Sequence, residues 1–251
     1  MQGRRTALLR KVPQVGLLFW IIKLCTTAMG ESTSDFLVFH FNPYAAVVSG
    51  FIVFFIVMWL QFRTPQYVPW VYWLNVLMVA IFGTMAADVT HVVLGVPYIV
   101  STIAFAIALA IVFYLWQKSE GTLSIHSIIT PRREAFYWAT VLATFALGTA
   151  AGDLFAFTLK LGFLDAGIIF TLIFSIPAIG YKLFKWNPIF SFWFAYILTR
   201  PLGASFADWT GKTHDVGGLG WGDGPVAGIL ALLIIALVAY LQITHSDFDK
   251  T

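Results

Sequence analysis

The sequence predicts an all-α membrane protein with eight transmembrane helices, built as four pseudo-repeated helical hairpins with both termini in the cytoplasm. Two observations predict this class. Hydrophobic residues make up 59% of the chain and charged residues only 11%, a composition far from that of soluble globular domains. One motif also returns four times with the same spacing, as an aromatic residue, Trp, nine residues, Gly, four residues and Asp.

Internal repetition at such a period indicates a structure assembled from equivalent units. The Trp, Gly and Asp of the motif fall at Trp20, Gly30 and Asp35; Trp73, Gly83 and Asp88; Trp138, Gly148 and Asp153; and Trp193, Gly203 and Asp208. Each Trp follows Phe or Tyr. The repeats cover approximately 14–62, 70–116, 135–184 and 188–243 of a single domain, 1–251.

Each repeat is long enough for two spans, because a helix crosses a bilayer with about 20 apolar residues. We expect spans near 14–36, 44–62, 70–92, 97–116, 135–158, 165–184, 188–209 and 225–243. Prolines stand at or just outside their ends, where a missing N–H is tolerated. The connections are too short to fold alone.

Lys and Arg predict the orientation through the positive-inside rule. One side receives Arg4, Arg5, Arg10, Lys11, Arg63, Lys118, Arg132, Arg133, Lys182, Lys185 and Lys250. The other side receives only Lys160 and Lys212. Both termini are therefore predicted to be cytoplasmic, and the net charge of +3 reflects membrane topology rather than nucleic-acid binding.

The motif Asp residues then lie toward the outer face in every odd-numbered span, and each Trp lies toward the cytoplasm. Fifteen residues of helix place them about 22 Å apart, within the thickness of the hydrocarbon core. The motif glycines begin segments of small side chains, which allow helices to pack closely in lipid. Four such parallel segments around an axis along the membrane normal would bring the carboxylates together.

Charged side chains within spans usually face protein or a water-filled cavity. The candidate ligands are Asp35, Asp88, Asp153, Asp208 and Glu31, which precedes Asp35 by one helical turn. Lys23 and Arg200 are the candidate counter-charges. Carboxylates suit hard cations such as Mn²⁺, Mg²⁺ or Ca²⁺, whereas Cys25 and the Met residues do not recur in the motif. Alternatively, each Asp could cap a segment or face the headgroups.

Two other features leave alternatives open. His40, His91 and His214 are predicted on the outer side, which admits a zinc-dependent hydrolase acting on lipid, although no His-Glu-x-x-His motif is present. Residues 217–224 read Gly-Gly-Leu-Gly-Trp-Gly-Asp-Gly. Because this string occurs once, it predicts a flexible outer loop over the acidic site rather than a channel filter, which needs equivalent loops around a pore.

Several strings resemble a group of bacterial inner-membrane proteins described as uncharacterised membrane-anchored proteins. They are Phe19-Trp-Ile-Ile-Lys23, Gly30-Glu31-x-x-x-Asp35, Leu147-Gly-Thr-Ala-Ala-Gly-Asp153 and, most specific, Arg200-Pro-Leu-Gly-Ala-Ser-Phe-Ala-Asp208. The resemblance implies a multi-pass protein of the inner membrane and no particular activity. The acidic repeats are also similar in kind to small manganese and calcium exporters with Glu-x-Gly-Asp motifs, from which the order Gly30-Glu31 departs.

The leading hypothesis is a secondary transporter for a divalent cation, with Mn²⁺ first, coupled to H⁺ or another ion. The five carboxylates would form the ion site, while Lys23 and Arg200 would balance it when no ion is bound. Repeats packed about a membrane site are a common basis for alternating access. The alternatives are the metal-dependent hydrolase and a non-catalytic scaffold in which acid–base pairs only specify helix packing.

Overall fold

The computed structural model describes residues 10–247, and within them the chain forms eight α-helices. They are α1 (Leu17–His40), α2 (Pro43–Arg63), α3 (Pro69–Asp88), α4 (Tyr98–Glu120), α5 (Pro131–Asp153), α6 (Gly162–Phe184), α7 (Pro188–Gly211) and α8 (Asp223–Thr244). π-helical turns, Val89–Val93 and Leu154–Thr158, continue α3 and α5. Short 3₁₀ turns occupy Ile125–Ser127 and His214–Val216. The predicted spans correspond to these eight helices.

Proline starts four of the helices, as the positions of proline near the span ends led us to expect. Pro43, Pro69, Pro131 and Pro188 stand in the first turns of α2, α3, α5 and α7. There the N–H that proline lacks would have no partner within the helix. The side chains of Asn42 and Asn187 cap α2 and α7 by accepting hydrogen bonds from backbone N–H groups.

Helices α1, α3, α5 and α7 form an inner ring in which each contacts the next and α7 contacts α1. A Cβ atom added to Gly30 would lie 2.4 Å from Cβ of Ala80 on α3. The other motif glycines make the equivalent contact with the next inner helix: Gly83 with Phe145, Gly148 with Arg200 and Gly203 with Thr27. In every case the partner stands three residues before the next motif glycine. This cyclic pattern relates the repeats by rotation about a common axis and confirms the predicted close packing at the motif glycines.

Helices α2, α4, α6 and α8 form an outer layer with an unexpected arrangement. Each packs chiefly on the inner helix of the following repeat: α2 on α3, α4 on α5, α6 on α7 and α8 on α1. The two helices of one predicted hairpin are therefore neighbours in sequence but not the main packing pair. The outer helices expose large apolar side chains, among them Ile103, Ile107 and Leu232.

Six of the described helices are long and apolar enough to cross a membrane, and the chain is a multi-pass membrane protein. Helices α1 and α7 are not among the six. Within the inner ring, α1 carries Lys23, Glu31 and Asp35 and α7 carries Arg200 and Asp208, and these residues lower the mean hydropathy of both helices. Arg4, Arg5 and Lys250, which contribute to the predicted orientation, lie outside the described residues.

Candidate functional site

The inner helices present matching residues to the common axis at intervals of four, because residues four apart share a helical face. Equivalent positions on the four inner helices form five layers, and each layer is named after a residue type that it contains. They are the aromatic layer (Phe19, Tyr72, Tyr137, Phe192), the lysine layer (Lys23, Val76, Val141, Tyr196), the arginine layer (Thr27, Ala80, Phe145, Arg200), the glutamate layer (Glu31, Thr84, Thr149, Ala204) and the aspartate layer (Asp35, Asp88, Asp153, Asp208). Their side chains are buried, except that Phe192, Asp35, Asp88 and Asp153 are partly exposed.

The aromatic layer closes the axis at the end opposite the aspartates. The hydroxyl groups of Tyr72 and Tyr137 share a hydrogen bond, and the rings of Phe19 and Phe192 lie 6.0 Å apart between centroids. Trp73, which is 2% exposed, packs against Phe19. The axis is therefore filled by packed aromatic rings at this end of the bundle.

Lys23 is buried against aromatic rings rather than paired with a carboxylate. Its Nζ lies 4.0 Å from the ring centroid of Phe145 and 4.4 Å from that of Tyr196. No hydrogen-bond partner for this Nζ is present in residues 10–247. Cation–π contacts are the interactions that the structure offers this amine. Among the described residues, no contact between Lys23 and an acidic side chain supports its predicted role as a counter-charge.

Arg200 reaches from the arginine layer into the glutamate layer and contacts three of its members. Its Nη2 donates to Oε2 of Glu31 and, at 2.6 Å, to Oγ1 of Thr84, while Nε donates to Oγ1 of Thr149 at 3.1 Å. Both Arg200 and Glu31 are buried. One guanidinium therefore joins all four inner helices. Thr84 and Thr149 were not among the predicted site residues, although they occupy the Glu31 position of their repeats.

The tightest group of carboxylates combines the glutamate and aspartate layers. Glu31, Asp35 and Asp208 each offer one ligand atom, and these atoms all lie within 4.8 Å of one another. Asp88 and Asp153 lie outside this group but interact electrostatically with Glu31 and Asp35. Each of these two is followed directly by a π-helical turn, a feature often found at functional sites. The four aspartates thus share one end of the axis, and only two belong to the compact group.

Lys212 is a further site residue that was not predicted, since the sequence placed it in an outer connection. Its Nζ donates to Asp35, lies 3.2 Å from Oδ2 of Asp223 and approaches Oδ1 of Asp208 to 3.9 Å. Burial alone would lower the pKa of this ammonium, but the carboxylates of Asp35 and Asp208 outweigh it and raise the pKa above its usual value. Lys212 follows Asp208 by four residues, the interval that separates the layers along each inner helix. Extending this interval beyond Asp208 would have predicted Lys212 as a site residue.

Backbone hydrogen bonds connect the loop 217–224 to the C-terminal end of α7. The amides of Leu219, Gly220, Trp221 and Gly222 donate to the last carbonyls of that helix and to Lys212. The loop ends at Asp223, which contacts Lys212. The predicted flexible cover is instead a hydrogen-bonded connection that closes α7 beside the acidic site.

The histidines of the hydrolase hypothesis do not gather around one point. His40 Nδ1 bonds the carbonyl of Phe36 at 3.0 Å, His91 that of Val96 at 3.1 Å and His214 that of Gly218 at 2.9 Å. Each ring is held by backbone within five residues of it. The compact ligand group found among the described residues is made of carboxylates alone.

The cluster formed by Glu31 and the four motif aspartates can accept added positive charge. Two layers hold five carboxyl groups, and two basic side chains, Arg200 and Lys212, make ion pairs with them in the described part of the chain. Protons or a cation could therefore balance the remaining acids. Oxygen ligands at this spacing suit a hard cation.

A family model described as Repeat of Unknown Function (DUF347) matches the chain four times, over residues 18–67, 71–122, 136–185 and 191–246. These matches cover most of the chain and coincide with the four repeats read from the motif. No curated protein and no solved structure matches the chain.

Proposed function

The chain belongs to the DUF347 repeat family, and we propose that its four repeats together form a secondary transporter for a divalent cation, with Mn²⁺ the first candidate. The observation that carries this proposal is the convergence of Glu31, Asp35 and Asp208, whose ligand atoms lie within 4.8 Å of one another. Asp88 and Asp153 supply further negative charge at the same end of the axis. Buried acids within a membrane bundle are a common basis for ion pathways.

In this proposal Lys212 acts as a tethered cation that the cargo displaces. Its ammonium contacts Asp35 and Asp223 and lies near Asp208. An arriving cation would need the oxygens of Asp35 and Asp208. Arg200 holds Glu31 in place, and protons on the remaining acids provide the coupling ion. Passage to the far side would require the aromatic layer to separate, as alternating access demands.

The proposal places all eight helices across a bacterial inner membrane with both termini in the cytoplasm. Helices α1 and α7 would span despite their polar residues, because the inner ring shields those side chains from lipid. The aspartate layer then lies toward the outer face. Support comes from the Lys and Arg distribution and from the apolar outer helices.

Transport in proteoliposomes tests the proposal. We expect the wild type to move Mn²⁺ or another divalent cation from a tested panel, and Asp35→Asn and Asp208→Asn each to lower the rate by at least about tenfold, since each removes a charged ligand. Asp215→Asn is the matched control, because this exposed acid lies in the outer 3₁₀ turn and should leave transport unchanged.

Two results would remove the transporter proposal: no cation of the panel moved by the wild type, or equal rates for wild type and both site variants. The carboxylates and their basic partners would then serve only to hold the helices in register. The buried Arg200–Glu31 pair, which joins the inner helices, favours such a scaffold as the second candidate.

Lys212→Gln should bind the cation more tightly than the wild type. Removal of the tethered ammonium frees Asp35 and Asp223, and we expect affinity to rise about five- to tenfold, a typical coupling between competing ligands. Calorimetric titration of the purified protein measures this. Lys160→Gln, at the other lysine predicted on the outer side, is the control. Unchanged or weaker affinity in Lys212→Gln would show that Lys212 does not compete with the cargo.

A further inference from the structure

A separate cavity of about 540 Å³ lies between α1, α6 and α7, near the end of the bundle closed by the aromatic layer. This volume falls within the range of small-molecule sites. Its walls are mainly apolar and include Trp20, Phe174, Pro177, Phe192 and Ala195. None of the proposed cation ligands lines it, so the cavity requires its own explanation.

The polar groups of the cavity come from the ends of secondary-structure elements. Ser124 and His126 belong to the connection before α5, Lys182 to the last turn of α6 and Ser191 to the first turn of α7. Phe174 lies about two turns before Lys182 in α6, and Ala195 lies about one turn after Ser191 in α7. The cavity therefore combines a polar end with an apolar body.

Ser191 indicates that the polar end takes a ligand. Its side chain is 7% exposed, and its Oγ has no hydrogen-bond partner within residues 10–247. A buried hydroxyl without a hydrogen-bond partner is unfavourable. An acceptor atom brought into the cavity would relieve that penalty.

The surroundings indicate that such a ligand comes from the bilayer. Leu17 and Tyr181, which line the cavity, are 76% and 52% exposed, and the neighbouring Leu183 is 72% exposed. In a multi-pass membrane protein, surfaces of this kind face hydrocarbon. The cavity thus opens where acyl chains are present, and Lys182 supplies positive charge at its polar end.

We propose that this cavity binds one anionic phospholipid, with the phosphate at Lys182 and Ser191 and an acyl chain against Trp20, Phe174 and Ala195. Basic pockets between transmembrane helices commonly hold anionic headgroups. The apolar length of the cavity explains why a lipid rather than a soluble phosphate is the occupant. This site is independent of the cation-transport proposal.

Native mass spectrometry of delipidated protein, titrated with phosphatidylglycerol or phosphatidylethanolamine, tests the assignment. We expect the wild type to bind one phosphatidylglycerol in preference to phosphatidylethanolamine. Lys182→Gln should weaken phosphatidylglycerol binding about fivefold, as expected for one basic residue near an anionic headgroup. Ala195→Phe, which fills the apolar body, should weaken binding of both lipids.

Lys185→Gln is the matched control, because Lys185 follows the same helix by one residue and does not line the cavity. It should bind phosphatidylglycerol like the wild type. Equal binding of the two lipids by the wild type, or equal losses in Lys182→Gln and Lys185→Gln, would overturn the proposal in favour of general surface attraction. Undiminished binding by Ala195→Phe would also overturn it.

Discussion

Replacing Arg200 by Gln should lower the free energy of unfolding by about 3–5 kcal/mol, the usual effect of breaking a buried ion pair from one side. The guanidinium contacts Glu31, Thr84 and Thr149 and is 1% exposed. Without it, Glu31 would remain buried beside Thr84 and the carboxylates of Asp35 and Asp208, with no ion-pair partner among the described residues. Equilibrium unfolding in mixed detergent micelles measures the loss.

Two further variants identify the cause of that loss. Glu31→Gln combined with Arg200→Gln removes both charges and should recover a substantial part of the stability, since no uncompensated charge is left. Arg132→Gln, whose side chain is 70% exposed, should unfold like the wild type. A double variant that is no more stable than Arg200→Gln alone would contradict the importance of the buried charge and would point to lost packing.

Gly30→Ala should destabilise the protein by about 1–3 kcal/mol or more, the range for overpacking a close-packed core. The added Cβ would lie 2.4 Å from Cβ of Ala80 and 3.0 Å from its backbone carbonyl carbon. Ala80 has no flexible side chain that could move away, so α1 and α3 would have to separate. Unfolding in the same micelles measures the effect.

Gly228→Ala provides the matched control, because Gly228 lies within α8 and an added Cβ there meets no atom within 4 Å. In a helix this change should be neutral or stabilising by about 0.4–1 kcal/mol, since Ala restricts the unfolded chain. If Gly30→Ala matched Gly228→Ala in stability, the tight contact between α1 and α3 would not exist.

The sequence was sufficient to predict the helices and the repeats. Both follow from local information, namely apolar length and a motif spacing, and helical periodicity places Glu31 and Asp35 on one face. The glycine contacts between neighbouring repeats also followed, because small residues at matching positions permit close approach in each copy.

Other features depend on how the helices pack and could not be read from spacing. The motif makes the four aspartates equivalent, yet Asp35 and Asp208 join Glu31 while Asp88 and Asp153 remain outside that group. Lys212 occurs in one repeat only, and it pairs with Asp35 and lies 3.9 Å from Asp208. The packing of each outer helix on the inner helix of the next repeat could not be predicted from the sequence either. An apolar outer helix can pack against the inner helix of its own repeat or of the next one.

Lys23 shows a third limit of sequence reasoning. Lys23 and Arg200 were both predicted as counter-charges, but only Arg200 contacts Glu31 among the described residues. Periodicity along one helix indicates which residues share a face, whereas the choice among partners depends on the ring as a whole.

The docking of α8 on α1, together with the pair between Glu31 on α1 and Arg200 on α7, has a consequence for biosynthesis. The segment translated first receives its neutralising partner and its outer neighbour from the segments translated last. Until both have been synthesised, Glu31 lacks its ion-pair partner and α1 lacks its main outer neighbour. Completion of the ring is therefore the closing event of membrane assembly.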